Sequence, residues 1–197
     1  MAWRDSEGAY GARAYFAYED HRGIDLADAA LTEATLQECD MSDANLDRAD
    51  LVRALANGAR FTRAHLRDAN LARAELHEAD LTDADATGAS FSRAQLVRAN
   101  LDGARLAGAD LFHATCLGAT FRGADLSSAN LGSALLGGAN FARASLSGAD
   151  LDAVRIDPTT IFAGAILDGV KLTRLLYGDR VVEGAEALTL LRALAAA

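Results

Sequence analysis

A period of five residues, held without a gap through most of the chain, limits what this sequence can fold into more than any other feature. Twenty-seven pentapeptides run in one register from Leu26 to Ile156. A large apolar centre recurs as Leu26, Leu31, Leu36, Met41, Leu46 and Leu51, resumes at Phe61, and continues through Phe141, Leu146 and Leu151. Two residues before each centre stands a second column, Ala44, Ala49, Ala54, Ala59 and onward to Ala149, with Cys39 near its start and Val154 at its close. This column admits almost nothing larger than alanine. A short fixed period takes precedence over window-by-window helix or strand assignments. Five matches neither the 3.6 of a helix nor the 2.0 of a strand, so the chain has to turn within every repeat to keep both columns on one side.

Each unit therefore points two residues inward and three outward, and the outward three carry Asp, Asn, Arg, Ser, Thr and Gly, as in ADLTD, ANLDG and ADLSS. The pattern A(D/N)LXX resembles the pentapeptide-repeat family. The resemblance covers about residues 24–174 and implies an all-β fold, a right-handed quadrilateral β-helix with four pentapeptides per coil. Residues twenty apart would then stack at the inter-strand distance of about 4.8 Å, and stability would come from stacked neighbours, as in other solenoids. Phe61, Phe121 and Phe141 would share one interior ladder. Ala56, Ala86 and Cys116, standing where a large centre is expected, would leave local packing deficits unless neighbours fill them.

The register slips once. After Ile156 the centres become Phe162, Leu167 and Leu172, one residue late, which places a one-residue insertion near Asp157 and Pro158. Proline suits such a bulge because it has no ladder donor. Residues 181–197, VVEGAEALTLLRALAAA, read as a C-terminal α-helix that closes the open end of the solenoid. The organisation predicted is an N-terminal cap over 1–23 with Trp3, Tyr10, Tyr15 and Phe16, a β-helix over 24–174, and a helical capping and dimerisation segment over 175–197. Leu188, Leu191 and Leu194 are the predicted dimer contacts. In the family's topoisomerase-binding members the carboxyl-terminal end is the dimer contact, so the resemblance implies a homodimer here.

Composition narrows the function. No apolar run approaches the roughly 20 residues of a membrane span, and the start MAWRDSEGAYGARAYF lacks a basic leader and an apolar signal core, so a cytoplasmic protein without a membrane partner is expected. A net charge of −9 argues against direct nucleic-acid binding. The two cysteines, Cys39 and Cys116, read as core thiols nearly four coils apart, on the order of 18 Å. His65, His77 and His113 fall on three different walls and His21 precedes the repeats, so no metal site is expected. Without a catalytic motif or a phosphate loop, the sequence reads as non-enzymatic, with no cofactor.

Three surface features remain. Residues 24–103 hold 15 acids against 8 bases, whereas residues 104–156 hold 4 of each. Asp25, Asp47, Asp85 and Asp125 are assigned to one column of one wall, with Arg105 interrupting it and Arg67 close by. Arg53, Arg73, Arg93 and His113 form a basic column, read as salt-bridged by Asp50 and Asp110. Leu55, Val97, Leu117 and Leu135 face outward on one wall, with Phe112 on the preceding one, as an apolar contact patch. The resemblance to the quinolone- and peptide-toxin-resistance members, to which the DPTTIF-to-helix segment also points, implies a DNA mimic that binds a bacterial type II topoisomerase such as DNA gyrase, for antibiotic resistance or self-immunity. The acidic column would serve as phosphate surrogates. The alternative is a scaffold that offers a solenoid wall to another protein partner.

Overall fold

The computed structural model describes residues 14–196. Parallel bridges at twenty-residue steps, Tyr15↔Thr35, Asp25↔Asn45, Asp50↔Asn70 and onward to Leu135↔Arg155, make every coil four pentapeptides with one bridge per wall. Each bridge is held in the same way: a centre amide donates to the next coil, as in Leu26 N to Asn45 O at 2.7 Å, and the return bond runs from Asn45 N to Ile24 O at 2.8 Å. The centres and the small column are almost wholly buried, Leu71 and Leu101 among them. Ala56, Ala86 and Cys116 are equally buried. Phe121, Phe141 and Phe162 stack in one ladder, with ring centroids 4.8 and 5.1 Å apart and planes tilted by 2° and 6°.

The solenoid starts earlier than its sequence pattern. Bridges already join Tyr15 to Thr35 and Asp20 to Asp40, and Ala14 is buried in the small column. His21, read from sequence as lying before the repeats, occupies a centre position, where Phe16 packs edge-on against it at 4.9 Å. Tyr15 is exposed and Phe16 lies partly against the core. Trp3 and Tyr10, assigned to the same cap, lie outside the described residues.

At the other end the insertion falls where the register predicts it, because Leu135 pairs with Arg155 but Asn140 pairs with Ile161. Asp157 fills the break with its side chain: Oδ1 accepts from Gly138 N at 3.1 Å, from Thr159 N at 2.9 Å and from Thr159 Oγ1 at 2.6 Å. The Thr159 hydroxyl bond, followed by these amide bonds, holds the carboxyl of Asp157 below the usual carboxylate range.

The terminal segment differs from its sequence reading. Strand β1 (Arg155–Ile156) pairs in parallel with β2 (Arg174–Tyr177), which turns back antiparallel into β3 (Arg180–Glu183). Helix α1 (Gly184–Ala196) begins only after this hairpin, so Val181 and Val182 belong to a strand and not to the helix. Leu191 is 0% exposed and is spent on the cap within one chain. Its side chain therefore presents no surface to a second copy, while Leu188 and Leu194 are both half-buried and Leu194 also packs against the core. Ala195 O near the end of α1 accepts from Gly164 N at 2.8 Å and so supplies one partner to the last coil's edge.

Candidate functional site

The preference for Asp or Asn just before each centre has a backbone cause. Its side-chain oxygen accepts the amide two residues on, closing the turn: Ser127 N to Asp125 Oδ1 at 3.0 Å, Asp47 N to Asn45 Oδ1 at 3.2 Å, Val52 N to Asp50 Oδ1 at 3.2 Å. Acidity on these walls is thus partly a by-product of turn chemistry, since Asn serves equally at 70, 100, 130 and 140.

The acidic wall is shorter than the sequence suggests. One ladder runs Asp25, Asn45, His65, Asp85, Arg105, Asp125, Ser145. Asp47 is not in it. It stands 22 residues from Asp25, in the turn of the same wall, where its Oδ1 accepts from Arg67 N at 2.9 Å. Asp85 is only 8% exposed, and Arg67 clamps its Oδ2 through Nε at 2.9 Å and Nη2 at 2.7 Å while Arg105 stands 3.7 Å away. Burial alone would raise its pKa, but the hydrogen bonds from Arg67 and Thr87 outweigh this and keep it ionised and lowered. Its charge is neutralised locally, so Asp25 and Asp125 are the exposed carboxylates of the ladder and Asp47 is a half-buried one beside it.

The basic column also differs. Arg73 N donates to Ser92 O and Arg93 N to Phe112 O, both at 2.9 Å, so Arg53, Arg73, Arg93 and His113 do stack along one corner. Asp50 and Asp110 do not neutralise them: Asp50 accepts from Thr32 Oγ1 at 2.7 Å, and Asp110 from Asn130 Nδ2 at 2.9 Å. The partner found is Glu33, 3.6 Å from Arg53, while Arg73 and Arg93 have no carboxylate within salt-bridge distance among the described residues. Elsewhere stacked pairs are closed, as in Arg48–Asp28 and Arg63–Asp43, each at 2.7 Å.

The apolar patch divides. Leu55 and Leu135 share a ladder, but Glu75, Gln95 and Thr115 lie between them. Phe112 is 37% and Leu117 42% exposed, and both lean over glycines of the next coil. A Cβ at Gly132 would come within 3.3 Å of the Phe112 ring, and one at Gly137 within 3.4 Å of Leu117 Cδ2. Val97 sits half-buried one coil before Leu117, on the same wall. The ring of His113 meets Phe112 at 4.2 Å with planes 62° apart.

Burial pushes both thiols, Cys39 and Cys116, up to about 12, so neither is nucleophilic near neutral pH. Asp152 lines a shallow depression with Thr173, Arg174, Glu183 and Gly184, but its Oδ1 is already taken by the amides of Thr173 and Arg174. Among the described residues no group of His, Cys, Asp and Glu has metal-site geometry, and no helix is long and apolar enough to cross a membrane.

The family model described as Pentapeptide repeats (8 copies) matches residues 24–63, 57–93, 89–127 and 124–156. The chain belongs to the pentapeptide-repeat family. Its coils are those of a right-handed β-helix, and pentapeptide-repeat proteins are typically structural or interaction proteins. Among solved structures it is similar to HetL of the cyanobacterium Nostoc, involved in heterocyst differentiation regulation: 26% identity over 91% of this chain and 97% of that one, TM-score 0.39. Full-length QnrB1, a plasmid-mediated fluoroquinolone resistance protein, is 17% identical over 91% of this chain and 98% of its own, TM-score 0.48. A second Nostoc pentapeptide-repeat protein, alr5209, is 37% identical over 53% of this chain and 84% of its own, TM-score 0.31. No curated protein matches the chain.

Proposed function

We propose that this pentapeptide-repeat protein is a non-enzymatic DNA mimic that engages a bacterial type II topoisomerase, DNA gyrase in the first instance, and protects it from quinolone-like or peptide antibiotics. One observation carries the reading: Asp25 and Asp125 stand exposed on one ladder, five coils or about 24 Å apart at strand spacing, with Asp47 one coil on from Asp25, so that fixed carboxylates are displayed along the length of the solenoid. A surface that grips phosphates is steered by such a field, and the attraction is screened over about 8 Å at physiological ionic strength. Asp85 takes no part, because Arg67 already holds it.

The test is a supercoiling assay with gyrase, a poison and either the parent or an Asp25→Asn, Asp47→Asn, Asp125→Asn triple variant. Asparagine keeps the turn bonds of Asp25 and Asp125, as Asn45 does in the same ladder, and the bond from the next coil's amide at Asp47, as Asn57 does for His77 N, so the fold is preserved while three charges go. The variant is expected to lose most of the protection, with a lower association rate and a weaker salt dependence. Equal protection by variant and parent would remove the acidic wall from the mechanism and favour the second reading, a scaffold for another protein.

A homodimer through the carboxyl-terminal end belongs to the same proposal, with Leu188 of α1 and the edge of the last coil facing the second copy. Sedimentation at micromolar concentration is expected to give twice the monomer mass. A monomer there would eliminate the dimer and leave the cap role of α1 intact.

A further inference from the structure

We infer that the corner carrying Arg73, Arg93 and Phe112, together with Leu117 on the adjoining wall, is a docking strip for an acidic, apolar-bearing segment of a partner protein, separate from the acidic wall. Two observations that do not depend on each other lead to it. The first is charge: Arg48, Arg53, Arg63, Arg98, Arg105 and Arg122 each reach a carboxylate one coil away, yet the consecutive pair Arg73 and Arg93 reaches none among the described residues, in a molecule whose net charge is −9. Unpaired cations side by side repel one another, so an incoming carboxylate gains both from its own attraction and from relief of that repulsion.

The second is backbone. The last residue of every turn adopts a left-handed conformation, which costs an L side chain but suits glycine. Three corners use glycine there repeatedly, for example Gly88, Gly108 and Gly148, or Gly58, Gly118 and Gly138. The corner from Glu33 to Ala153 uses none: every residue at its twenty-residue steps is non-glycine, with φ between 56° and 59°. Within it, Arg53, Arg73, Arg93 and His113 hold four consecutive basic side chains on that strained backbone, with Ser133 and Ala153 after them.

The chemistry selects the occupant. One coil on from Arg93 the strip turns apolar at Phe112, with Leu117 on the adjoining wall, both lying over glycines that leave them room. A duplex needs a series of phosphate contacts and would meet a net negative molecule. A peptide that carries carboxylates next to leucine or phenylalanine matches both halves at once. Carboxylates three or four residues apart on a helix sit about 5–6 Å from each other, close to the coil spacing of about 4.8 Å that separates Arg73 from Arg93.

The probes are a labelled synthetic helical peptide with glutamates three and four residues apart beside leucine and phenylalanine, a polyglutamate of equal length, and a short DNA duplex, each titrated into the full-length chain by fluorescence anisotropy at low and high salt. Saturable binding of the mixed peptide is expected. Arg73→Asn with Arg93→Asn should weaken it about tenfold or more, and so should Phe112→Ser with Leu117→Ser, whereas Arg48→Asn should leave it within about twofold. Asparagine tolerates the left-handed backbone, and circular dichroism confirms that each variant is folded. Four results would overturn the inference: no saturable binding, equal affinity in either double variant, polyglutamate binding as tightly as the mixed peptide, or the duplex binding more tightly than both. No topoisomerase enters the measurement, so its failure and that of the function proposed above are separate results.

Discussion

Phe141→Ala is expected to cost about 3–5 kcal/mol of stability, the largest loss of any single truncation in the solenoid. The ring is stacked on both faces, by Phe121 at 4.8 Å and by Phe162 at 5.1 Å, and is fully buried. Removing it takes away the transfer energy of the ring, leaves a cavity that a ladder of coils held at both sides by hydrogen bonds cannot close, and deletes two aromatic contacts worth about 0.5–1.5 kcal/mol each. Because each coil touches only its neighbours, the damage should stay local. Urea unfolding gives the loss, and hydrogen exchange gives its range: faster exchange is expected at amides of the coils containing Phe121, Phe141 and Phe162, and little change at those near Leu46. Phe141→Leu should recover more than half of the loss, since leucine fills the same ladder at Leu81 and Leu101. A loss under about 1 kcal/mol for the alanine variant would mean that the coils collapse freely, contrary to a rigid solenoid.

The two inward columns were legible in the sequence because side-chain volume at a fixed period reports directly on packing, and the slip at Asp157 showed as a one-residue phase change. What the sequence showed poorly was how long polar side chains spend their hydrogen bonds. Steps of twenty place Arg53, Arg73 and Arg93 in line, but whether a guanidinium reaches the carboxylate above, below or across the corner depends on rotamers. The same ambiguity hid the clamp of Arg67 on Asp85, residues eighteen apart and thus diagonal to the ladder. The acidic column failed on Asp47 for a plainer reason, because 22 residues is not a whole coil. The first coil escaped notice because Phe16 and His21 stand where leucine is usual. The hairpin before α1 did carry a signal, Tyr177-Gly178-Asp179-Arg180 between apolar pairs, with Gly178 at φ 56°; the alanine-rich composition that follows masked it.

Ala109→Leu is expected to destabilise by about 1–3 kcal/mol or more, and the sign matters as much as the size, because burying more apolar surface ordinarily helps. Ala109 is 0% exposed, at the point where one wall turns inward beside the next. Its stacking neighbours are Ala89 and Ala129, so three added carbons meet alanines above and below and leucine centres to either side, with no solvent to enter. The only escape is for the backbone to move, and that backbone is already engaged: Ala109 N donates to Leu106 O at 3.0 Å, and Ala109 O accepts from Asn130 N at 2.9 Å. Moving it outward breaks the ladder bond to the next coil and strains the turn. Ala107→Leu, two residues earlier and half-buried in an outward position, adds the same carbons where they can lie along the surface, and should fall within about 0.5 kcal/mol of the parent. Paired urea titrations decide it. Equal midpoints for the two variants would show that the alanine column is a habit of the repeat and not a limit on the width of the solenoid.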